Sequence, residues 1–343
     1  MTDSATNEGD EPLRIGILGA ARIAELSLVQ PAAATGQRLY AVAARDESRA
    51  QVFADRHGVE RVHASYAEVL ADPEVEAVYN PLANGLHGVW NRRALEAGKH
   101  VLAEKPSAAN AAEAGQVREA ATRSGRVFME AFHYPYHPLF GRVCELLDAE
   151  AIGATTRIEA VLRMPAPADT DPRWELALAG GSTMDLGCYS LSCLDLLGRR
   201  YAGGSPRVVS ARAAERSGHA GVDESLFVEL EFPSGVTGSG GSDMAADDWD
   251  FHLTVTGTRG EIHVPDFPRP HEDDTLVLRD DRGEHVEHLG NRSSYTYQLE
   301  AFAAAVRDGG PVVTDADSSV RVMELVDASY LAAGLAPRQP TPP

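Results

Sequence analysis

The chain has 343 residues, of which 43% are hydrophobic and 24% charged. That is the composition of a globular protein long enough for two domains, each with its own core. A formal net charge of -20 argues against nucleic acids and anionic membranes as partners, and no apolar stretch reaches the roughly 20 residues that a membrane span needs.

In chain order, Met1 to Pro12 is acidic and polar, without the apolar core of a signal peptide, and is expected as a disordered tail over residues 1–12. Leu13 to Leu18 reads as a strand, Ile23 to Ala34 as a helix, Leu39 to Ala44 as a second strand and Ser48 to His57 as a helix. Ala77-Val78-Tyr79, Val101-Leu102 and Val127 to Glu130 are further strands with helices between them. Strands alternating with helices imply right-handed crossovers and a doubly wound parallel sheet over residues 13–133. Beyond about residue 150 the texture changes. Thr156 to Leu162, Ser225 to Phe232, Phe251 to Gly257 and Glu261 to Val264 alternate with period two. Residues 134–343 are therefore expected to form an α+β domain with a mostly antiparallel sheet. Cys144, Cys188 and Cys193 have no metal-ligand spacing, and are expected to be reduced thiols of a cytoplasmic protein. No metal site is expected.

The first strand opens into Gly19-Ala20-Ala21-Arg22-Ile23-Ala24, where a dinucleotide fingerprint belongs. Only its first position is glycine; Ala21 stands at the second and Ala24 at the third. Its place at the first βα turn strengthens the signal, because a helix N-terminus offers amide groups to a phosphate. Gly19, Ala21, Arg22 and Ile23 are accordingly cofactor-binding candidates. At the end of the second strand, a carboxylate would bind the ribose hydroxyls of NAD. This chain has Ala44-Arg45 there. A guanidinium matches a 2′-phosphate, so Arg45, joined by Arg22, points to NADP over NAD. A solvated surface arginine is the competing reading.

Val101 to Pro106 is an apolar run ending in Glu104-Lys105 and stopped by a proline. A strand buried in a core has no structural use for an ammonium at its tip, whereas chemistry done at that tip does. The only lysines in the sequence are Lys99 and Lys105. Arginine does not titrate in a protein; lysine does. In the second half, Gly180 to Tyr189 contains Asp185 and Tyr189, which share one face if the stretch opens a helix. A carboxylate and a phenol on one face can exchange a proton with a lysine arriving from the other domain. The plainer alternative is a capping aspartate and a packed tyrosine.

These motifs resemble the Gfo/Idh/MocA family of NAD(P)-dependent oxidoreductases, named for glucose–fructose oxidoreductase and inositol dehydrogenase. The likeness runs from about Leu13 to the C-terminal helices. It is strongest in Val78 to His87 and in Ala97 to Pro106, where the family commonly has Pro-Asn-x-x-His and Glu-Lys-Pro; Ala83 replaces the usual proline. Met129 to Pro138 is similar to the domain crossover of the sugar and dihydrodiol dehydrogenase branch. The family has Asp-x-x-x-His or Asp-x-x-x-Tyr at Asp185 and Tyr189, with tyrosine in branches acting on sugars and dihydrodiols. The resemblance implies a Rossmann domain followed by a domain with an open-faced sheet, which packs against its counterpart in a homodimer or a dimer of dimers.

It also implies a reaction. Removing hydride from a carbinol carbon requires the hydroxyl to lose its proton. Lys105 is expected to stabilise the developing charge, Tyr189 to exchange the proton, and Asp185 to tune or orient it, with Lys105 lowering the pKa of the phenol and Asp185 opposing that; either Lys105 or Tyr189 is the formal acid–base, or the two titrate as one unit. Asn84, His87 and Glu104 are expected along the nicotinamide side, although His87 also reads as a helix-cap residue. Arg163, Arg173 and Trp174 lead into the Gly180 motif and are candidate contacts for a sugar or cyclic polyol. A trans-dihydrodiol or imine substrate is the alternative within this class, and a non-catalytic dinucleotide sensor is the alternative outside it.

Overall fold

The computed structural model describes residues 11–343; most of the expected tail lies outside the described residues. In the first half, β1 (Arg14–Leu18) is followed by a π turn (Glu25–Val29) that continues into α1 (Gln30–Thr35). Then come β2 (Arg38–Ala43), α2 (Glu47–His57), β3 (Arg61–Val62), α3 (Tyr66–Ala71), β4 (Ala77–Asn80), α4 (Asn84–Glu96), β5 (His100–Ala103), α5 (Ala111–Ser124) and β6 (Phe128–Glu130). The six strands pair in parallel in the order β3-β2-β1-β4-β5-β6. This is the doubly wound order, whose switch point lies between β1 and β4. Helices on both faces explain why β4 is buried along its whole length. Side-chain caps start three helices: Asp46 accepts from Ser48 N, Ser65 from Glu68 N and Asn110 from Glu113 N. Lys99 is structural, its Nζ donating to the carbonyls of Asp72 (2.7 Å) and Val75 (2.8 Å).

The second half holds α6 (Pro138–Asp148), β7 (Thr155–Arg163), α7 (Cys188–Tyr201), β8 (Arg207–Glu215), β9 (Asp223–Glu231), β10 (Thr237–Asp243), β11 (Leu253–Gly257), β12 (Glu261–Val264), β13 (Thr275–Asp280) and β14 (Gly283–His288). Its eight strands run in the order β14-β13-β12-β11-β7-β10-β9-β8, antiparallel except for the pair β7 and β10. One face carries Ile158, Ala160 and Leu162 in a core with Leu191 and Leu194 of α7. Gly240 in β10 allows that approach: a Cβ there would lie 2.4 Å from Ser190 Oγ and 2.6 Å from Leu194 Cδ1. The opposite face is charged, with Arg157 reaching Ser239 and His252 pairing with Glu159.

The chain then departs from a simple two-part division. α8 (Ser294–Asp308) packs Leu299 and Phe302 against Leu13, Ile15 and Ile17 of the first sheet. Burying two such side chains stabilises the fold by about 2 kcal/mol each. Arg307 pairs with Glu76, and Thr314 continues the edge of β6 by hydrogen bonds with Glu130 in both directions. α9 (Ala316–Ala332) lies against α5 and α7. The helix α8, from the second half of the chain, thus shares the cover of the first sheet with Leu28 and Ala32 of the first half.

Candidate active site

Parallel pairing of β4 and β5 directs the carboxyl ends of both strands to the switch-point crevice, and Glu104-Lys105 stands there. Lys105 Nζ reaches across to the second domain, donating to the carbonyl of Asp185 (2.7 Å) and to its Oδ1 (3.1 Å). Asp185 sits in a π turn (Thr183–Gly187) that leads directly into α7. There Cys188 N–H bonds back to Thr183 O, one residue further than in an α-helix. The turn is anchored by buried Asp223, which accepts from Thr183 N (2.7 Å) and Oγ1 (2.6 Å). Arg338, also buried, donates to Asp223 and to the carbonyl of Gly180.

The second oxygen of Asp185 accepts from Arg173 Nη1 (3.2 Å), and Arg173 in turn forks onto both oxygens of Asp171 (2.9 and 3.0 Å). Asp185 thus lies between an ammonium and a guanidinium. Burial opposes its charge, but Lys105 and Arg173 prevail and hold its pKa below the ordinary carboxylate value. Burial likewise opposes the Lys105 charge, yet Asp185 above all, with Glu104, keeps its pKa above that of an ordinary lysine. Glu104 accepts from Tyr79 Oη (2.7 Å), which also meets Ser27 Oγ, and burial raises the pKa of Glu104.

Tyr189 lies one turn beyond Asp185, with Lys105 Nζ 5.1 Å from its ring centroid. The ammonium sits over the ring, and the hydroxyl turns to His133 Nε2 at 3.2 Å. This overturns the expected electrostatics. Burial, then Tyr295 and Glu104, push the phenol well above its ordinary pKa of 10. Tyr189 is therefore a protonated phenol across the neutral range.

Gly19 adopts φ +105, a conformation natural to glycine, and its N–H bonds to Ala43 O (2.7 Å) as the chain turns towards α1. Ala21, Arg22 and Ile23 form the turn entering that helix, with Arg22 and Ile23 exposed. Arg45 is exposed at the end of β2. Sequence reasoning missed Arg49, one turn further along α2, whose Nη2 donates to Ala20 O (3.2 Å). A cleft of about 240 Å³ runs beside it, lined by Ala20, Ser48, Arg49, Phe53 and Arg56. A glycine turn at a helix N-terminus, flanked by two guanidinium groups, fits a dinucleotide bearing a 2′-phosphate.

The other candidates are placed differently. Asn84 starts α4 and its Nδ2 donates to Ala179 O of the second domain (3.4 Å). His87 is buried, its two ring nitrogens facing the carbonyls of Pro106 (2.6 Å) and Leu82 (2.7 Å), and burial lowers its pKa to about 4. It braces the loop that carries Lys105, and its ring is not open to a ligand. Trp174 is 1% exposed beneath the guanidinium of Arg216, so it forms a wall. Arg163 alternates away from Leu162 onto the charged face of the sheet, where it pairs with Asp250 and lies over Phe227. It is not brought to the Lys105 cluster, because strand parity sends it to the other side. Sequence reasoning also missed Asp171, the partner of Arg173, and His133. Among the described residues, no group of three His, Cys, Asp or Glu side chains is placed to hold a metal ion, and no helix is long and apolar enough to cross a membrane.

A nucleotide-binding Rossmann domain whose switch-point crevice faces a lysine, a carboxylate and a phenol defines the class of dinucleotide-dependent oxidoreductases. The model described as the oxidoreductase family with an NAD-binding Rossmann fold matches residues 13–132, and that of the GFO/IDH/MocA C-terminal domain matches residues 140–263. The chain belongs to the Gfo/Idh/MocA oxidoreductase family. It is 37% identical over 325 residues to D-xylose 1-dehydrogenase (NADP(+)) 2 of Haloferax volcanii, covering 94% of this chain and 97% of that one. It is 33% identical over 261 residues to trans-1,2-dihydrobenzene-1,2-diol dehydrogenase of Sus scrofa, covering 74% of each. Among solved structures, KijD10, a 3-ketoreductase from Actinomadura kijaniata in complex with NADP and TDP-benzene, superposes with a TM-score of 0.86 at 28% identity. That match covers 94% of this chain and 98% of that chain.

Proposed function

We propose that this protein is an NADP-dependent oxidoreductase that moves a hydride between the nicotinamide and the carbinol or carbonyl carbon of a sugar or cyclic polyol. The observation that carries this reading is the grip of Lys105 Nζ on Asp185 beside Tyr189, across the crevice between the domains. The NADP-dependent xylose dehydrogenase and the NADP-bound ketoreductase among its relatives support the cofactor and the substrate class. Arg45 and Arg49 are the groups that recognise the 2′-phosphate, and Gly19, Ala21, Arg22 and Ile23 hold the pyrophosphate.

The bound cofactor supplies or accepts the hydride. Lys105, kept as an ammonium, donates a hydrogen bond to the reacting oxygen and stabilises its negative charge. In reduction, Tyr189 gives its hydroxyl proton to that oxygen as the carbonyl carbon gains its hydrogen. Asp185 orients Lys105, and Arg173 holds Asp185 at the mouth through which a polyhydroxy substrate enters. Glu104 and Asn84 shape the nicotinamide side, and His87 braces it from beneath. A cluster that keeps an ammonium and a phenol together in one crevice supports an enzyme over a dinucleotide sensor. The dihydrodiol dehydrogenase relative favours a cyclic diol as the second substrate class.

The protein is cytoplasmic and its three cysteines remain thiols. It forms a homodimer or a dimer of dimers through the face of the eight-stranded sheet that α7 leaves uncovered. One experiment tests the activity: titrate NADPH and NADH by fluorescence, then screen polyols and keto-sugars with the tighter cofactor. Binding without turnover of any of them would reject the enzymatic reading.

A further inference from the structure

Behind Tyr189 lies a chain of hydrogen bonds that the reaction above does not use. Tyr189 Oη is 3.2 Å from His133 Nε2, and His133 Nδ1 is 2.7 Å from Ser294 Oγ. All three residues are buried: Tyr189 is 8% exposed, His133 2% and Ser294 0%. They come from three parts of the chain: α7, the crossover after β6, and the first turn of α8. The His133 ring is clamped as well. Tyr295 stacks on it with centroids 3.8 Å apart and planes inclined by 32°, and Tyr189 meets it edge-on at 5.8 Å.

Building on the proposed role of Tyr189 as proton donor, we propose that His133, set by Ser294, is the positioning residue that aims the Tyr189 hydroxyl at the substrate and steadies the phenolate left after the proton is given. A neutral imidazole has one donor and one acceptor nitrogen, so its two partners take complementary orientations. When Nε2 carries the hydrogen, Ser294 donates to Nδ1, His133 donates to Tyr189 Oη, and the phenol hydrogen is left free to be given to the substrate. That is the arrangement reduction needs. The substrate carbonyl oxygen takes the phenol proton as its carbon gains the hydride. The phenolate then accepts from His133 Nε2–H and is reprotonated from water after product leaves. With the hydrogen on Nδ1, donated to Ser294, the phenol donates to Nε2 and its lone pairs face the cleft, ready to accept from a carbinol hydroxyl.

The surroundings keep the ring in this neutral, switchable form. The charged or titratable groups that face it are Lys105 at the end of β5, His271 in the loop after β12, His137 ahead of α6, and the phenols of Tyr189 and Tyr295. Burial, reinforced by His271, Lys105 and His137, holds the His133 pKa well below the ordinary imidazole value. Charging the ring beside the Lys105 ammonium is unfavourable, so it works by orientation and not as a store for the proton.

A double-mutant cycle with steady-state reduction as readout tests this. His133→Phe keeps the stack on Tyr295 and removes both hydrogen bonds; kcat is expected to fall about tenfold to a hundredfold, with the KM for NADPH unchanged. In a Tyr189→Phe background the same change should cost less than about twofold, because there is no hydroxyl left to aim. His133→Gln, which can still reach the hydroxyl, should recover part of the rate. Ser294→Ala leaves the core intact and should lower kcat several-fold only when Tyr189 is present. A parental kcat for both His133→Phe and Ser294→Ala, or full losses that persist in the Tyr189→Phe background, would overturn the proposal while leaving Tyr189 as the donor. A parental rate for Tyr189→Phe alone would instead remove Tyr189 from the reaction, and His133 with it.

Discussion

Lys105 and Asp185 meet twice, through a backbone carbonyl at 2.7 Å and a carboxylate oxygen at 3.1 Å, although they belong to different domains. Two acceptors on one residue leave the ammonium a single hydrogen to give elsewhere, with the Tyr189 ring beside it. The position of the Lys105 ammonium is therefore set by the π turn that carries Asp185 as much as by the strand that carries Lys105.

Replacing Lys105 by alanine is expected to lower kcat by about a hundredfold or more, the scale for losing an oxyanion or proton partner. NADPH affinity, measured by fluorescence, should change little. Lys105→Arg should also be poor, since a planar fork cannot reproduce both contacts with Asp185. Near-parental turnover of either variant would exclude the lysine from the reaction.

Arg45→Ala and Arg49→Ala should each weaken NADPH binding by about tenfold, as expected for one charge-assisted contact to a phosphate. NADH binding should be untouched, so the preference between the two cofactors narrows. Equal affinity of the parent protein for NADPH and NADH would remove the 2′-phosphate from this site.

For Tyr189, burial and the neighbouring Tyr295 and Glu104 raise the phenol pKa, so the hydroxyl stays protonated as pH climbs through the neutral range. Reductive kcat should show no tyrosine inflection between about pH 6 and pH 9. Tyr189→Phe should lower the whole profile without changing its shape. The decisive contrary result is an inflection in that window that disappears in Tyr189→Phe.

Glu130 is buried at the end of β6, where Oε1 accepts from Ser107 N (2.7 Å) and Oε2 has no partner among the described residues. Burial raises its pKa from 4.5 to about 7. The folded chain therefore holds a proton that the unfolded chain releases, and stability falls as pH rises from about 4.5 to about 7. Glu130→Gln should flatten that slope and stabilise the protein at pH 8 by on the order of 2–3 kcal/mol. Urea denaturation at pH 5 and pH 8 reads the difference; equal slopes for parent and variant would contradict it.

Five of the six parallel strands were legible because strands covered on both faces are short apolar runs; β3 (Arg61–Val62), two residues long with an exposed arginine, gave no such run. β10 was not legible: Thr-Gly-Ser-Gly-Gly-Ser-Asp has almost no strand propensity, and of its glycines Gly240 answers the close approach of α7 while Gly238 and Gly241 answer Phe232 and the backbone of the neighbouring strands. The return of α8 to the first sheet was equally hidden, since an amphipathic helix does not say which sheet it will cover. In the site, Lys105, Asp185 and Tyr189 stood in motifs whose spacing carries the chemistry. Asp171 and Ser294 carry no such pattern. His133 lay within the crossover motif, but its partner is 161 positions away, and only the fold brings them together.

The late arrival of α8 also constrains how the protein is made. A nascent chain that has released β1 to β6 still lacks Leu299 and Phe302, the side chains that close the flank of its first sheet. Domains usually fold in order of synthesis. Here the cluster on that flank is completed only once Leu299 and Phe302 have been made. In the interval between those two moments the first sheet has the cover of Leu28 and Ala32 but lacks that of α8.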